Sequence, residues 1–339
     1  MKISTGVPAR SIEAIANAVR RAEALGYDEV SAGEAQHDPF VALAVAASHS
    51  QRLQLATSVV IAFPRSPMVV ANASWDLQSF SGGRLVLGLG TQVKGHNERR
   101  FSVKWSAPLP RLREYILALR AIWDCWQNGT PLNFRGQHYT FTLMTPFFNP
   151  GPIEHPRIPI HIAGVNSGMC ALAGELADGL RMHGFNTPKY MKEVILPAVE
   201  SGLKKSGRSR SDMEVCGLPF IITGKDQAEL ERNMEATRGR ISFYGATRTY
   251  HPVLEVHGWG ETGLRLHHMS VEGKWAEMGR EITDDMVAEL AVIGTYDEII
   301  AKIKSRFAGI LDRVTFSIPV RGPEDEDRLK AMIRELQAP

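Results

Sequence analysis

Short β-prone runs and amphipathic helical stretches take turns along this chain, which limits it to folds built on a parallel sheet with helical crossovers. Lys2–Thr5 reads as a first strand. A helix over Ser11–Leu25 follows, with Ile12, Ile15, Ala16, Val19 and Ala22 on one face and Gly26 as its terminating glycine. Asp28–Ala32 predicts strand two, Phe40–Ser50 a helix of small residues, and Leu53–Ile61 strand three. Ser66–Phe80 predicts a helix opened by Pro67, and Arg84–Gly90 strand four. A long helix over Arg111–Gln127 carries Leu112, Tyr115, Ile116, Leu119, Ile122, Trp123 and Trp126 at helical spacing, so both tryptophans are expected in the core. Ile158–Ala163, Gly179–Met182, Glu214–Thr223 and Arg313–Ile318 complete eight strands. Between and after them come helices over Met169–Ala177, Thr187–Lys205 and Asp226–Arg238, one opened by a Thr295–Glu298 capping box, and a last one ending near Leu336. Eight such units predict an α/β fold of the (β/α)8 barrel class rather than a doubly wound sheet.

The 339 residues exceed the roughly 250 that such a barrel needs. The surplus falls in two insertions, about 128–158 and 239–293, and residues 1–339 are expected to form one elaborated domain. Thirty-nine Lys and Arg against 37 Asp and Glu leave a net charge of only +2, so neither a nucleic acid nor a membrane surface is an expected partner. Cys125, Cys170 and Cys216 are widely spaced and odd in number, which argues against a disulfide scaffold or a cysteine metal site. No metal is expected from the histidines either, since no HxH or HExxH pattern is present. The absence of a signal-like opening or of an apolar run of about 20 residues points to a cytoplasmic location.

In a barrel, chemistry sits at the C-terminal ends of the strands. Strand two ends in Glu34, His37 and Asp38, a converging carboxylate and imidazole. Strand three ends in Ser58-Val59-Val60-Ile61 and runs on to Arg65, where a bulge could present backbone to a flat ring. Strand four ends in Gly88-Leu89-Gly90-Thr91-Gln92-Val93, followed by His96. Its glycines permit close backbone approach, but Val93 stands where a dinucleotide fingerprint needs its third glycine. Strand five ends in Ala163-Gly164-Val165-Asn166 just before a helix, a turn whose amides suit a phosphate. His183 ends strand six.

Taken together, the segments Glu34-Ala-Gln-His-Asp-Pro-Phe40, Ala62-Phe-Pro-Arg-Ser-Pro67, Ser81-Gly-Gly-Arg84, Leu87-Gly-Leu-Gly-Thr-Gln-Val93 and Met144-Thr-Pro-Phe-Phe148 resemble the luciferase-like monooxygenase superfamily, most closely its coenzyme F420-dependent (deazaflavin) branch. The resemblance implies a bacterial luciferase-like TIM barrel, a homodimer, and a non-prolyl cis peptide at Ser58–Val59 behind the deazaflavin ring. It implies that Glu34, Ser58, Val59, Ile61, Thr91, Gln92, Val93 and His96 line the coenzyme and that Ala163, Gly164, Val165 and Asn166 meet its phosphate. Sugar-phosphate dehydrogenases of the branch carry a carboxylate where this chain has Val93, so the likeness does not extend to that substrate.

The activity so implied is hydride transfer between the deazaflavin and a small organic substrate, with His37 as acid/base and Glu34 orienting it or the ring. The alternatives are an FMN-dependent monooxygenase on the same fold and a barrel that binds a cofactor without turnover.

Overall fold

The computed structural model describes residues 1–8 and 10–339, and the chain divides into two compact units. The fold is the expected parallel-stranded (β/α)8 barrel. One unit comprises Ser4–Ala163 and Leu172–Gly179. The other comprises Met1–Ile3, Gly164–Ala171 and Leu180–Pro339.

The first unit is built on β1 (Lys2–Gly6), β2 (Glu29–Ala32), β3 (Gln54–Thr57), β4 (Val60–Ile61) and β5 (Leu85–Gly90). Every residue of β5 is buried, as a strand covered on both faces requires. The helix Ile12–Leu25 starts where Ser11 Oγ accepts the Ala14 N–H and stops at Gly26, whose φ of 94° is a left-handed cap. The helix Pro108–Asn128 buries Trp123 and Trp126 as its apolar stripe predicts.

Expected strand three is interrupted. β3 pairs with β5 through Leu55 and Leu85, and β4 pairs with the same strand through Val60 and Leu89. Val60 comes five positions after Leu55, but Leu89 only four after Leu85, so the broken strand carries one extra residue, a bulge. Ser58–Val59, within the break, is a cis peptide, where the resemblance implies one.

The first insertion folds onto this unit. It holds a hairpin of β6 (Phe134–Arg135) and β7 (Thr140–Phe141) and then an extended stretch. The Glu114 carboxylate accepts the N–H groups of Gln137, His138 and Tyr139. The Gln78 amide donates to the carbonyls of His155 and Arg157 and accepts the Leu85 N–H. After the insertion comes β8 (Ile160–Gly164), paired with β5.

The second unit carries most of β9 (Gly179–Met182), then β10 (Glu214–Gly217), β11 (Phe220–Gly224), β12 (Ala291–Thr295) and β13 (Arg313–Thr315). β10 pairs in parallel with β13. The single expected strand over 214–223 is two, because β11 leaves that pairing and forms its own parallel pair with β12. The helix after Thr187 widens into a π turn over Met191–Ile195. Pro197 has no N–H to donate, and its ring would crowd the Glu193 carbonyl in a regular turn.

The helix expected to end at Arg238 runs on through Gly239 to Gly245, and the second insertion is largely helical beyond it. The expected capping box at Thr295 is half made. Glu298 Oε2 accepts the Thr295 N–H at 3.0 Å, but the Thr295 hydroxyl donates to that same carboxylate. Thr295 is still paired in β12 opposite Gly224, so the helix begins only at Ile299. No helix among the described residues is long and apolar enough to cross a membrane.

Candidate functional site

Four strand ends of the first unit carry most of the residues singled out from sequence. Glu34 follows β2, and its N–H donates to the Val59 carbonyl at 3.1 Å, which ties the strand-two end to the bulge. Its side chain is only 10% exposed, and both oxygens are engaged. Oε2 accepts the Ile61 N–H at 2.7 Å and Oε1 accepts Arg65 Nη2 at 2.7 Å. The same Arg65 nitrogen donates to Asp38 Oδ2 at 2.9 Å. These two carboxylates hold the Arg65 guanidinium above its already high ordinary value, against the opposing effect of burial. Arg65 is thus committed to two acidic partners. Asp38 Oδ1 meanwhile accepts the Phe40 N–H and caps the helix Pro39–Ser48.

His37 is exposed and makes no hydrogen bond to another described residue, and Glu34 is oriented by Arg65 and Ile61 rather than paired with it. The structure therefore ties Glu34, but not His37, to the bulge.

Gly90 ends β5 beneath the bulge. A Cβ there would lie 2.5 Å from Val59 Cγ2, so only glycine lets Val59 settle over this strand end. One turn back, the Thr57 hydroxyl donates to the Gly88 carbonyl and accepts the Gly88 N–H, each at 2.8 Å. Ser58 is exposed, Val59 half-buried and Ile61 buried. Beyond Gly90 the chain turns through Thr91, Gln92 and Val93 into the short helix Lys94–Arg99, which carries His96 on its exposed side. Gln92 adopts a φ of 55°, and its side-chain oxygen accepts the Val93 N–H.

Asn97, which sequence reading passed over, fixes this loop. It is fully buried, and its amide donates to the carbonyls of Thr91 at 2.9 Å and Val93 at 3.1 Å. Its position inside a polar LysGlyHisAsnGluArg run gave no apolar signal to mark it as buried. The Ser81-Gly-Gly-Arg84 segment is likewise structural. The Arg84 guanidinium donates to the carbonyls of Ala47, Ser50, Leu53 and Ser81 and to the Ser50 hydroxyl, locking the loops below the strands.

The turn after β8 leads into the helix Ser167–Leu176, with Asn166 O accepting the Met169 and Cys170 N–H groups. Ala163 and Val165 are half-buried, Gly164 buried and Asn166 exposed. The Tyr190 hydroxyl donates to the Val165 carbonyl at 3.1 Å and steadies the turn. Burial pushes the Cys170 thiol up to about 12, so this cysteine packs as an apolar group.

In the second unit, His183 immediately follows β9 and sits among aromatic rings. Tyr250 stacks on it at 4.7 Å and Tyr244 meets it edge-on at 4.3 Å. Burial, helped by the Arg240 charge, pushes its imidazole down to about 4. In the first insertion, Phe147 and Phe148 are exposed and pack on each other at 5.2 Å. Trp259 stacks on His257, whose Nε2 hydrogen-bonds with the Thr187 hydroxyl.

A profile of the luciferase-like monooxygenase family matches residues 2–313. An uncharacterized protein of Mycobacterium tuberculosis (strain ATCC 25618 / H37Rv) is 43% identical over 337 residues, 99% of this chain and 98% of that one. The 5,10-methylenetetrahydromethanopterin reductase of Archaeoglobus fulgidus is 27% identical over 301 residues, 87% of this chain and 85% of its own length. Among solved structures, the coenzyme F420-dependent tetrahydromethanopterin reductase from Methanopyrus kandleri superposes with a TM-score of 0.79 at 21% identity, over 99% of each chain. The match across almost the whole barrel, together with the bulged strand and its glycine partner, means that the chain belongs to the luciferase-like monooxygenase family.

Proposed function

We propose that this protein is a coenzyme F420-dependent oxidoreductase that moves a hydride between the deazaflavin and a small organic substrate. The observation that carries the reading is the backbone ledge at the broken strand. Gly90 leaves room for Val59, and Glu34 ties the Ile61 amide and the Val59 carbonyl to the strand-two end. A flat tricyclic ring fits such a ledge, because the exposed backbone of Ser58 and the half-buried Val59 offer a surface with no long side chain in the way. The M. kandleri reductase, named as coenzyme F420-dependent, favours the deazaflavin over FMN.

When bound, a deazaflavin supplies a carbon centre that gives or takes hydride and reacts poorly with oxygen. Ser58, Val59 and Ile61 would support the ring, and Thr91, Gln92, Val93 and His96 would follow it toward its chain. Glu34, its carboxylate held by the Ile61 N–H and Arg65, would lie against the ring. Ala163, Gly164, Val165 and Asn166 would present backbone to the phosphate at a helix start. His37, exposed and unbonded, is free to give or take the proton that accompanies hydride transfer.

Titration of the purified protein with oxidised coenzyme F420, followed by the coenzyme's fluorescence, tests the reading. Saturable one-to-one binding, with no FMN taken up from an equal mixture, is expected. FMN copurification with substrate-dependent oxygen consumption would replace it with the monooxygenase reading.

A further inference from the structure

We propose that His183, Tyr244 and Tyr250 form a binding subsite for a planar, uncharged conjugated carbonyl compound, an enone or quinone, whose oxygen accepts the His183 Nε2–H. The inference deepens the proposed function, since it names the substrate class. Binding itself can be read without any coenzyme.

The tautomer follows from one hydrogen bond. The Phe185 N–H donates to His183 Nδ1 at 3.0 Å, so the neutral ring carries its proton on Nε2. Among the described residues that Nε2–H has no acceptor, and neither the Tyr244 nor the Tyr250 hydroxyl has a partner. Three polar atoms on three touching rings thus await a ligand. The location is apt, because His183 directly follows a strand at the end where barrels place their chemistry.

The rings define what fits. Tyr250 lies nearly parallel to His183, with 28° between the planes, and Tyr244 stands edge-on to both at 68° and 89°. Phe243 and Phe220 back Tyr244 at 5.3 and 6.2 Å. Such walls favour a flat π system, and neutral donors favour a carbonyl oxygen over a charged group. Burial supports this by holding the imidazole neutral and pushing the Tyr250 phenol up to about 12. The nearby Arg240 guanidinium lies 5.1 Å over the Phe220 ring and is occupied there.

The probe is menadione, titrated into the coenzyme-free full chain by calorimetry, with naphthoquinone sulfonate as the charged comparator. Menadione is expected to bind more tightly than the sulfonate. His183→Asn keeps an acceptor for the Phe185 N–H but lacks the far donor, and should weaken menadione about tenfold. His183→Gln, whose amide reaches the Nε2 position, should restore most of that affinity. In the wild-type chain labelled with 15N-histidine, menadione should move one protonated Nε2 resonance, a readout that needs no variant to fold. Tighter sulfonate binding, an unmoved Nε2 signal, or equal affinity in wild type and His183→Asn would overturn the subsite. Coenzyme affinity measured separately in the same proteins tells this failure from failure of the F420 reading.

Discussion

Arg65 donates to Glu34 at 2.7 Å through the same nitrogen that reaches Asp38 at 2.9 Å, so one cation sets the position of the strand-two carboxylate at the bulge. The two contacts differ in weight. Glu34 is 10% exposed and Asp38 37%. Arg65→Met should therefore cost about 2–3 kcal/mol, chiefly by stranding the Glu34 charge. Asp38→Asn, whose amide can still cap the following helix, should cost under about 1 kcal/mol. Urea unfolding of both variants checks the order, and equal losses would refute it.

Gly90→Ala places a methyl 2.5 Å from Val59 Cγ2, on a β-branched side chain with little freedom to turn away. The expected loss is about 1–3 kcal/mol of stability, together with weakened coenzyme binding. Thermal melts and F420 titration on the same preparation measure both. Unchanged coenzyme affinity in a folded variant would remove Val59 from the ledge.

His37→Ala should leave the melting temperature unchanged, because the side chain is exposed and makes no hydrogen bond to a described residue. Its effect belongs to turnover, with kcat reduced about 100-fold or more at saturating coenzyme. Full retention of kcat on the true substrate would end the acid/base assignment.

His183 links stability to acid. Its folded-state value of about 4 lies below the roughly 6.5 of the unfolded chain, so protonation favours unfolding between those limits. Stability should fall as pH drops from about 6.5 toward 4, by about 2 kcal/mol at pH 5 from this group. His183→Gln should lose correspondingly less between pH 7 and pH 5 in denaturant titrations.

Glu114 adds to this acid sensitivity at lower pH. Burial raises its carboxyl, but the His138, Gln137 and Tyr139 N–H groups outweigh this and hold it below the ordinary carboxylate range. Its contribution is complete above the unfolded value of about 4.3 and fades as pH falls through the lower folded value. Glu114→Gln should cost about 1–3 kcal/mol at pH 7, with the gap to wild type narrowing below about pH 4.

The barrel was legible because each strand and helix announces itself through local periodicity, as in the stripe that buries Trp123 and Trp126. What escaped is set by pairing between distant segments. Nothing within 214–223 says that β11 will leave β10's neighbour for Ala291–Thr295. Gly239 reads as a helix end, yet a Cβ there meets nothing within 4 Å and the helix simply continues, carried by residues on either side. At the site, Glu34 was visible from its position, but its partner Arg65 lies 31 residues away and could equally have faced solvent. Buried Asn97 belongs to the same class, since its partners are carbonyls that no side-chain pattern marks.

The reciprocal bonds between Thr57 and Gly88 clamp the broken strand on one side, and the Ala62 N–H to Gly90 carbonyl bond closes it on the other. The surplus residue is penned between two fixed points and cannot creep along the ladder. A one-residue deletion between 57 and 62 would remove the surplus residue and even out the ladder, with Val60 still opposite Leu89 but the bulge and its backbone ledge gone. Coenzyme binding should therefore tolerate no change of length across residues 58–61, whatever their composition.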